Sequence, residues 1–117
     1  MPLSEKTLDR DVLAVFCDGD GRLSSFARLL IHQYVQEAES QVAALNDAAE
    51  AQSVETLKMI SHSLKGSSKT VGAMRLGALC EEVEYGVEQH TDRAATRALV
   101  DAIRQEFEGV RTALEKL

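Results

Sequence analysis

Apolar residues recur along most of this chain at three- and four-residue steps, the spacing of an amphipathic helix rather than of a strand. The longest run goes from about Arg22 to Ala51, with Phe26, Leu30, Tyr34, Ala38, Val42, Leu45 and Ala49 as its stripe. Ser53 is placed to cap a following helix over about 53–70, and Val71-Gly72 ends it, with glycine in its usual C-terminal place. A further helix is predicted over about 73–89. Leu76, Leu79, Cys80, Val83 and Val87 form its apolar face, and Glu81, Glu82, Glu84 and Glu88 form an acidic face that reads as solvated. Thr91-Asp92 turns the chain into a last helix over about 93–116, striped by Leu99, Ile103, Phe107, Val110, Leu114 and Leu117. Ahead of all these, Thr7 or Asp9 is placed to cap a short helix carrying Leu8, Val12, Leu13, Val15 and Phe16, and Asp18-Gly19-Asp20-Gly21 breaks it.

Four long amphipathic helices joined by short connections predict an all-α fold, an antiparallel up-and-down four-helix bundle with a short additional N-terminal helix. Composition agrees. Aromatics are 4 %, there is no Trp, and the single Pro is at position 2, which favours closely packed helices over a sheet. A length of 117 residues suits one domain, 1–117, with one core, and no repeat or linker interrupts it.

Charge narrows the function classes. A net charge of −6 argues against general binding to nucleic acid or to an anionic membrane. No apolar run approaches the roughly 18 residues of a membrane span, and residues 1–6 are polar with no signal-peptide core, so a cytoplasmic protein is expected. Cys17 and Cys80 have neither metal-ligand spacing nor the pattern of a disulfide framework. Asp18-Gly19-Asp20-Gly21 fails as a calcium loop, because Arg22, Leu23 and Leu29 stand where that loop needs an oxygen ligand, Gly and Glu.

The stretch Ser61-His62-Ser63-Leu64-Lys65-Gly66-Ser67-Ser68 changes the picture. On a helical wheel Leu57, Ile60, Leu64 and Val71 fall opposite His62, whereas Lys58, Lys65, Gly66 and Lys69 fall within about 60° of it. From Lys58 to Arg75 there are four cations and no acid. The pattern predicts an outward imidazole with cations beside it and bare backbone one turn on. Imidazole serves as a metal ligand, a general base or a covalent group carrier. A metal site needs more ligands, and the positions three and four residues either side of His62 are Met59, Lys58, Lys65 and Gly66. No nucleophile elbow or oxyanion loop supports a hydrolase. Phosphoryl carriage fits better: cations suit a phosphorylated imidazole, and a glycine costing roughly 1 kcal/mol of helix propensity opens the approach to it. The plainer reading of His62 alone is an exposed histidine on a solvated basic face. His32 and His90 lack such surroundings, and Cys80 and Met74 read as core.

His62-Ser63-Leu64-Lys65-Gly66-Ser67-Ser68, then Val71-Gly72-Ala73, Leu76 and Cys80-Glu81-Glu82-Val83-Glu84, resembles the histidine-containing phosphotransfer (HPt) domain family over nearly the whole chain. The resemblance implies a four-helix bundle whose His62 accepts a phosphoryl group from a receiver-domain aspartyl phosphate and passes it to another receiver aspartate. Lys65 and Gly66 would assist directly, with Lys58, Lys69 and Glu84 in support. It implies no bound nucleotide, metal or cofactor on this domain, with Mg²⁺ on the receiver. The partners implied are response-regulator receiver domains and a hybrid sensor histidine kinase, met by a monomer without autonomous kinase activity. Several family members carry a Gln that hydrogen-bonds the imidazole; the matching position here is Glu84, where a carboxylate would accept from the ring N–H. The reading from another class is a bundle that docks receivers or kinases without being phosphorylated.

Overall fold

The computed structural model describes residues 7–17, 22–89 and 92–117. Among the described residues, five helices follow one another: α1 (Arg10–Ala14), α2 (Ser25–Ala51), α3 (Val54–Thr70), α4 (Met74–Glu88) and α5 (Arg93–Glu115). The four long ones form a closed antiparallel ring, α2 against α3, α3 against α4, α4 against α5 and α5 back against α2. The readings placed on Met1–Lys6, on Asp18-Gly19-Asp20-Gly21, and on His90 and Thr91 lie outside the described residues.

Most helix starts follow local capping chemistry. Asp9 accepts from the backbone N–H of Asp11 and Val12, Ser24 from Ala27, and Asp92 from Ala95, each satisfying donors that have no partner within the helix. Ser53 holds the cap position of α3, but its hydroxyl bonds the Thr56 hydroxyl rather than a backbone N–H. Gly72 ends α3 for two reasons. Its φ of +85° is left-handed, and an added Cβ would stand 2.8 Å from the Asp9 carbonyl oxygen. Asp9 N–H donates to the Gly72 carbonyl at 2.7 Å, which pins the start of α1 onto the α3–α4 turn.

Along α2 the structure corrects the expected stripe. The helix begins at Ser25, not Arg22, because Ser24 caps it. Tyr34, Ala38, Val42, Leu45 and Ala49 are buried as expected, but Phe26 is 68 % exposed and Leu30 37 %, while Ala27 and Ile31 face the core. Steps of four residues overshoot a 3.6-residue turn by about 40° each, so a stripe followed back from Tyr34 has rotated out of the core by Phe26. Val15 of the N-terminal helix is likewise exposed, and Leu13 carries its burial. On α5 Leu99 is only partly buried, as is Leu117 beyond the helix end, and Thr96 and Val100 join Ile103, Phe107, Val110 and Leu114 inside.

Leu57, Leu64 and Val71 are buried, which commits that side of α3 to the core, with Ile60 packed at its edge. Ser61 and Ser68 are also fully buried and both are satisfied: Ser61 donates to the Lys58 carbonyl within α3, and Ser68 shares a 2.7 Å hydrogen bond with the Tyr34 hydroxyl of α2. Burial pushes the Tyr34 phenol up to about 12, so it serves there as a neutral hydrogen-bonding group. Leu64→Ala is expected to destabilise by about 2–5 kcal/mol through transfer and cavity terms. Phe26→Ala should stay within about 0.5 kcal/mol of the parent. Urea unfolding of both variants checks the corrected stripe.

Candidate functional site

His62 stands on the outer side of α3, because Leu57 and Leu64, about half a turn round, take the inner side. Its side chain is 68 % exposed. The ring does not stand free. Nδ1 lies 2.8 Å from Oε2 of Glu84 on α4, and the other carboxylate oxygen, Oε1, accepts from Lys65 Nζ at 2.9 Å. Glu84 is therefore a bridge between two residues of the neighbouring helix.

The bridge has electrostatic and tautomeric consequences. The Lys65 hydrogen bond, aided by that of His62, holds the Glu84 carboxyl below its ordinary value against the opposing effect of burial. The same bond raises Lys65. An ionised carboxylate only accepts, so Nδ1 carries the proton that it donates to Glu84. The neutral imidazole then has its lone pair on Nε2, the nitrogen not held by Glu84.

Two further pairs extend the seam. Lys58 lies 3.7 Å from Glu88, and Lys69 lies 3.7 Å from Glu81. As the residue number rises along α3, that of its partner falls along α4, as antiparallel packing demands. The expected solvated acidic face holds for Glu81, Glu82 and Glu88, which are exposed, and is corrected at Glu84, which is 15 % exposed; Glu81, Glu84 and Glu88 also meet cations of α3. Sequence reasoning named Lys58, Lys69 and Glu84 but not the roles of Glu81 and Glu88. The cation-rich, acid-free run of α3 beside an acid-rich helix was the available signal.

Gly66 lies one turn beyond His62, and an added Cβ there would meet nothing within 4 Å. Gly77 differs: its missing Cβ leaves room for the aliphatic stem of Lys69, 2.7 Å away at Cγ, which lies across α4 toward Glu81. Gly66 therefore has no role in the packing of the bundle. Among the described residues, no group of three or more His, Cys, Asp or Glu is arranged to hold a metal ion. None of the helices there is long and apolar enough to cross a membrane.

A family model for the Hpt domain matches residues 29–113. This chain belongs to the Hpt domain family. Histidine-containing phosphotransfer protein B from Pseudomonas aeruginosa PAO1 is similar in structure, with a TM-score of 0.82, 28 % identity, and coverage of 94 % of this chain and 92 % of that one. Multistep phosphorelay regulator 1 of Schizosaccharomyces pombe is 34 % identical over 62 residues, 52 % of this Hpt chain. The match spans only 21 % of that relative's length. These likenesses agree with the helical bundle and with the family that the His62 motif resembles.

The Hpt site yields two expectations. Gly66→Ala should raise stability by about 0.5–1 kcal/mol, since alanine is the better helix former and the space is open; thermal or urea unfolding measures it. Glu84→Ala should be less stable than the parent near neutral pH. A depressed folded-state value means that the stabilisation is present above the ordinary value of 4.5 and is lost as pH falls through the lowered one. The gap between the urea midpoints of the two proteins is therefore expected to narrow with acidification below 4.5.

Proposed function

We propose that this Hpt domain is a phosphorelay intermediate in which His62 takes a phosphoryl group from a receiver aspartyl phosphate and returns it to the aspartate of another receiver. The single observation that carries this reading is an outward imidazole tied to Glu84 through Nδ1, one turn from a glycine that the bundle does not need. The names of the two relatives, a phosphotransfer protein and a phosphorelay regulator, support it.

The Nε2 lone pair forms the N–P bond as the P–O bond to the aspartate breaks, and the electron pair of that bond leaves with the carboxylate. The ring becomes an imidazolium with its proton on Nδ1, facing the Glu84 carboxylate. In the next step the second receiver's carboxylate attacks phosphorus, and the N–P electrons return to Nε2. Glu84 orients the ring in both directions. Lys65, tied to Glu84, keeps that carboxylate ionised and adds positive charge near the phosphoryl oxygens. Mg²⁺ belongs to the receiver, as does much of the charge stabilisation of the transfer. The domain acts as a monomer in the cytoplasm, takes its phosphoryl group through a hybrid sensor histidine kinase and its receivers, and has no kinase activity of its own.

Incubation with a phosphorylated receiver and Mg²⁺ is expected to label His62 with an acid-labile, alkali-stable phosphoryl group. His62→Gln should abolish it, and ATP alone should label nothing. Undiminished labelling of His62→Gln would remove the histidine from the chemistry and leave a docking bundle. Gly66→Gln is expected to be at least as thermostable as the parent yet slow in single-turnover transfer both ways. The reacting atoms must close to about 3–3.5 Å, and a 1 Å misplacement costs about 100-fold.

A further inference from the structure

The two ends of the bundle are unlike. At one, the start of α1 is pinned onto the α3–α4 turn. At the other, where α2 hands over to α3 and α4 to α5, there is an open pocket of about 220 Å³. Ala49, Leu57 and Val87 are its buried apolar lining, and Gln52, Val54 and Arg93 are its exposed lining. Thr96, on the first turns of α5, completes it.

The polar groups of this pocket are short of acceptors. Thr96 is only 9 % exposed, yet its hydroxyl makes no hydrogen bond to any described residue, where a buried hydroxyl ordinarily has a partner. It opens instead into the pocket that Thr96 lines. Arg93 is exposed and forms no ion pair with a described residue. The Ser53 hydroxyl donates to Thr56 Oγ1, which leaves the first turn of α3, beside Val54, without a side-chain cap. Gln52 has φ +56°, a left-handed backbone that glycine holds at less cost, and it adds an amide to the same rim. Two acids are near in sequence: Asp92 is spent on the Ala95 N–H, Glu55 is exposed, and neither lines the pocket.

We propose that this pocket binds a small amphipathic carboxylate. Its alkyl part lies over Ala49, Leu57 and Val87, and its carboxylate sits among Arg93, the Thr96 hydroxyl and the uncapped first turn of α3. The head follows from the donors. A guanidinium and backbone N–H groups only donate, so an ionised acceptor answers them and an ammonium does not. The tail follows from the apolar lining and the size: at roughly 30 Å³ for a water-sized group, 220 Å³ holds about seven such groups. The site is separate from the imidazole. Val54 precedes His62 by eight residues, about 12 Å along α3, and binding there does not depend on the reading of His62 as a phosphoryl carrier.

The test follows backbone amide NMR shifts of the whole chain at neutral pH, with hexanoate as the probe and hexanol and hexylammonium as controls at matched salt. Hexanoate is expected to give shifts at the amides of 53–57 and 93–96 that saturate with a dissociation constant on the order of 1 mM. Hexanol, which keeps the chain and lacks the charge, is expected to bind about tenfold more weakly, and hexylammonium to leave those amides unmoved. Arg93→Gln alters an exposed side chain, and Thr96→Val removes the hydroxyl with little change of shape. Each is expected to weaken hexanoate about fivefold while the far-UV helical signal stays that of the parent. Where Thr96→Val loses helical signal, Arg93→Gln decides alone. The site is overturned if hexanoate gives no saturable shift at these amides, or if either control binds as tightly as hexanoate. A folded variant that binds hexanoate as tightly as the parent overturns it equally.

Discussion

The structure depends on one constraint: α3 has to hide its leucines and present its histidine on opposite sides of a single rod. Leu57, Leu64 and Val71 meet the first demand and fix the rotation of the helix about its axis. Once that rotation is set, His62 has nowhere to point but outward. The core therefore aims the imidazole by setting that rotation.

Rotation alone does not fix the ring. That is the work of α4, which runs antiparallel beside α3 and brings Glu84 level with His62. The carboxylate spans the imidazole and the Lys65 ammonium, so one acid decides which ring nitrogen bears the proton and also holds the nearest cation in place. The outer pairs, Lys58–Glu88 and Lys69–Glu81, are exposed and contribute little to stability. Their effect is on the surface, where they balance the charges along the seam between α3 and α4.

Glycine serves the architecture in two opposite ways. Gly72 is required by the fold, since its backbone is left-handed and α1 presses against it. No described residue occupies the space that a side chain at Gly66 would take, and the glycine weakens the helix that carries the functional side chain. A residue that lowers helix propensity without serving packing points to a demand from outside.

The sequence by itself determined the helices, their order, the outward face of His62 and the kinship of its motif, because each rests on local periodicity, capping and spacing within one segment. It also named Glu84, through the matching position in related domains. It did not show that Glu84 reaches Lys65 as well, that Glu81 and Glu88 meet cations, that Ser68 lies buried on Tyr34, or that Phe26 and Leu30 turn out of the core. Those facts depend on how far each helix is rotated and slid against its neighbours. A stripe read in steps of four drifts by tens of degrees along 27 residues, and the register between two helices is decided by the packing of many side chains at once. Only the tertiary structure sums those contacts, so it alone decided which acid faces which base.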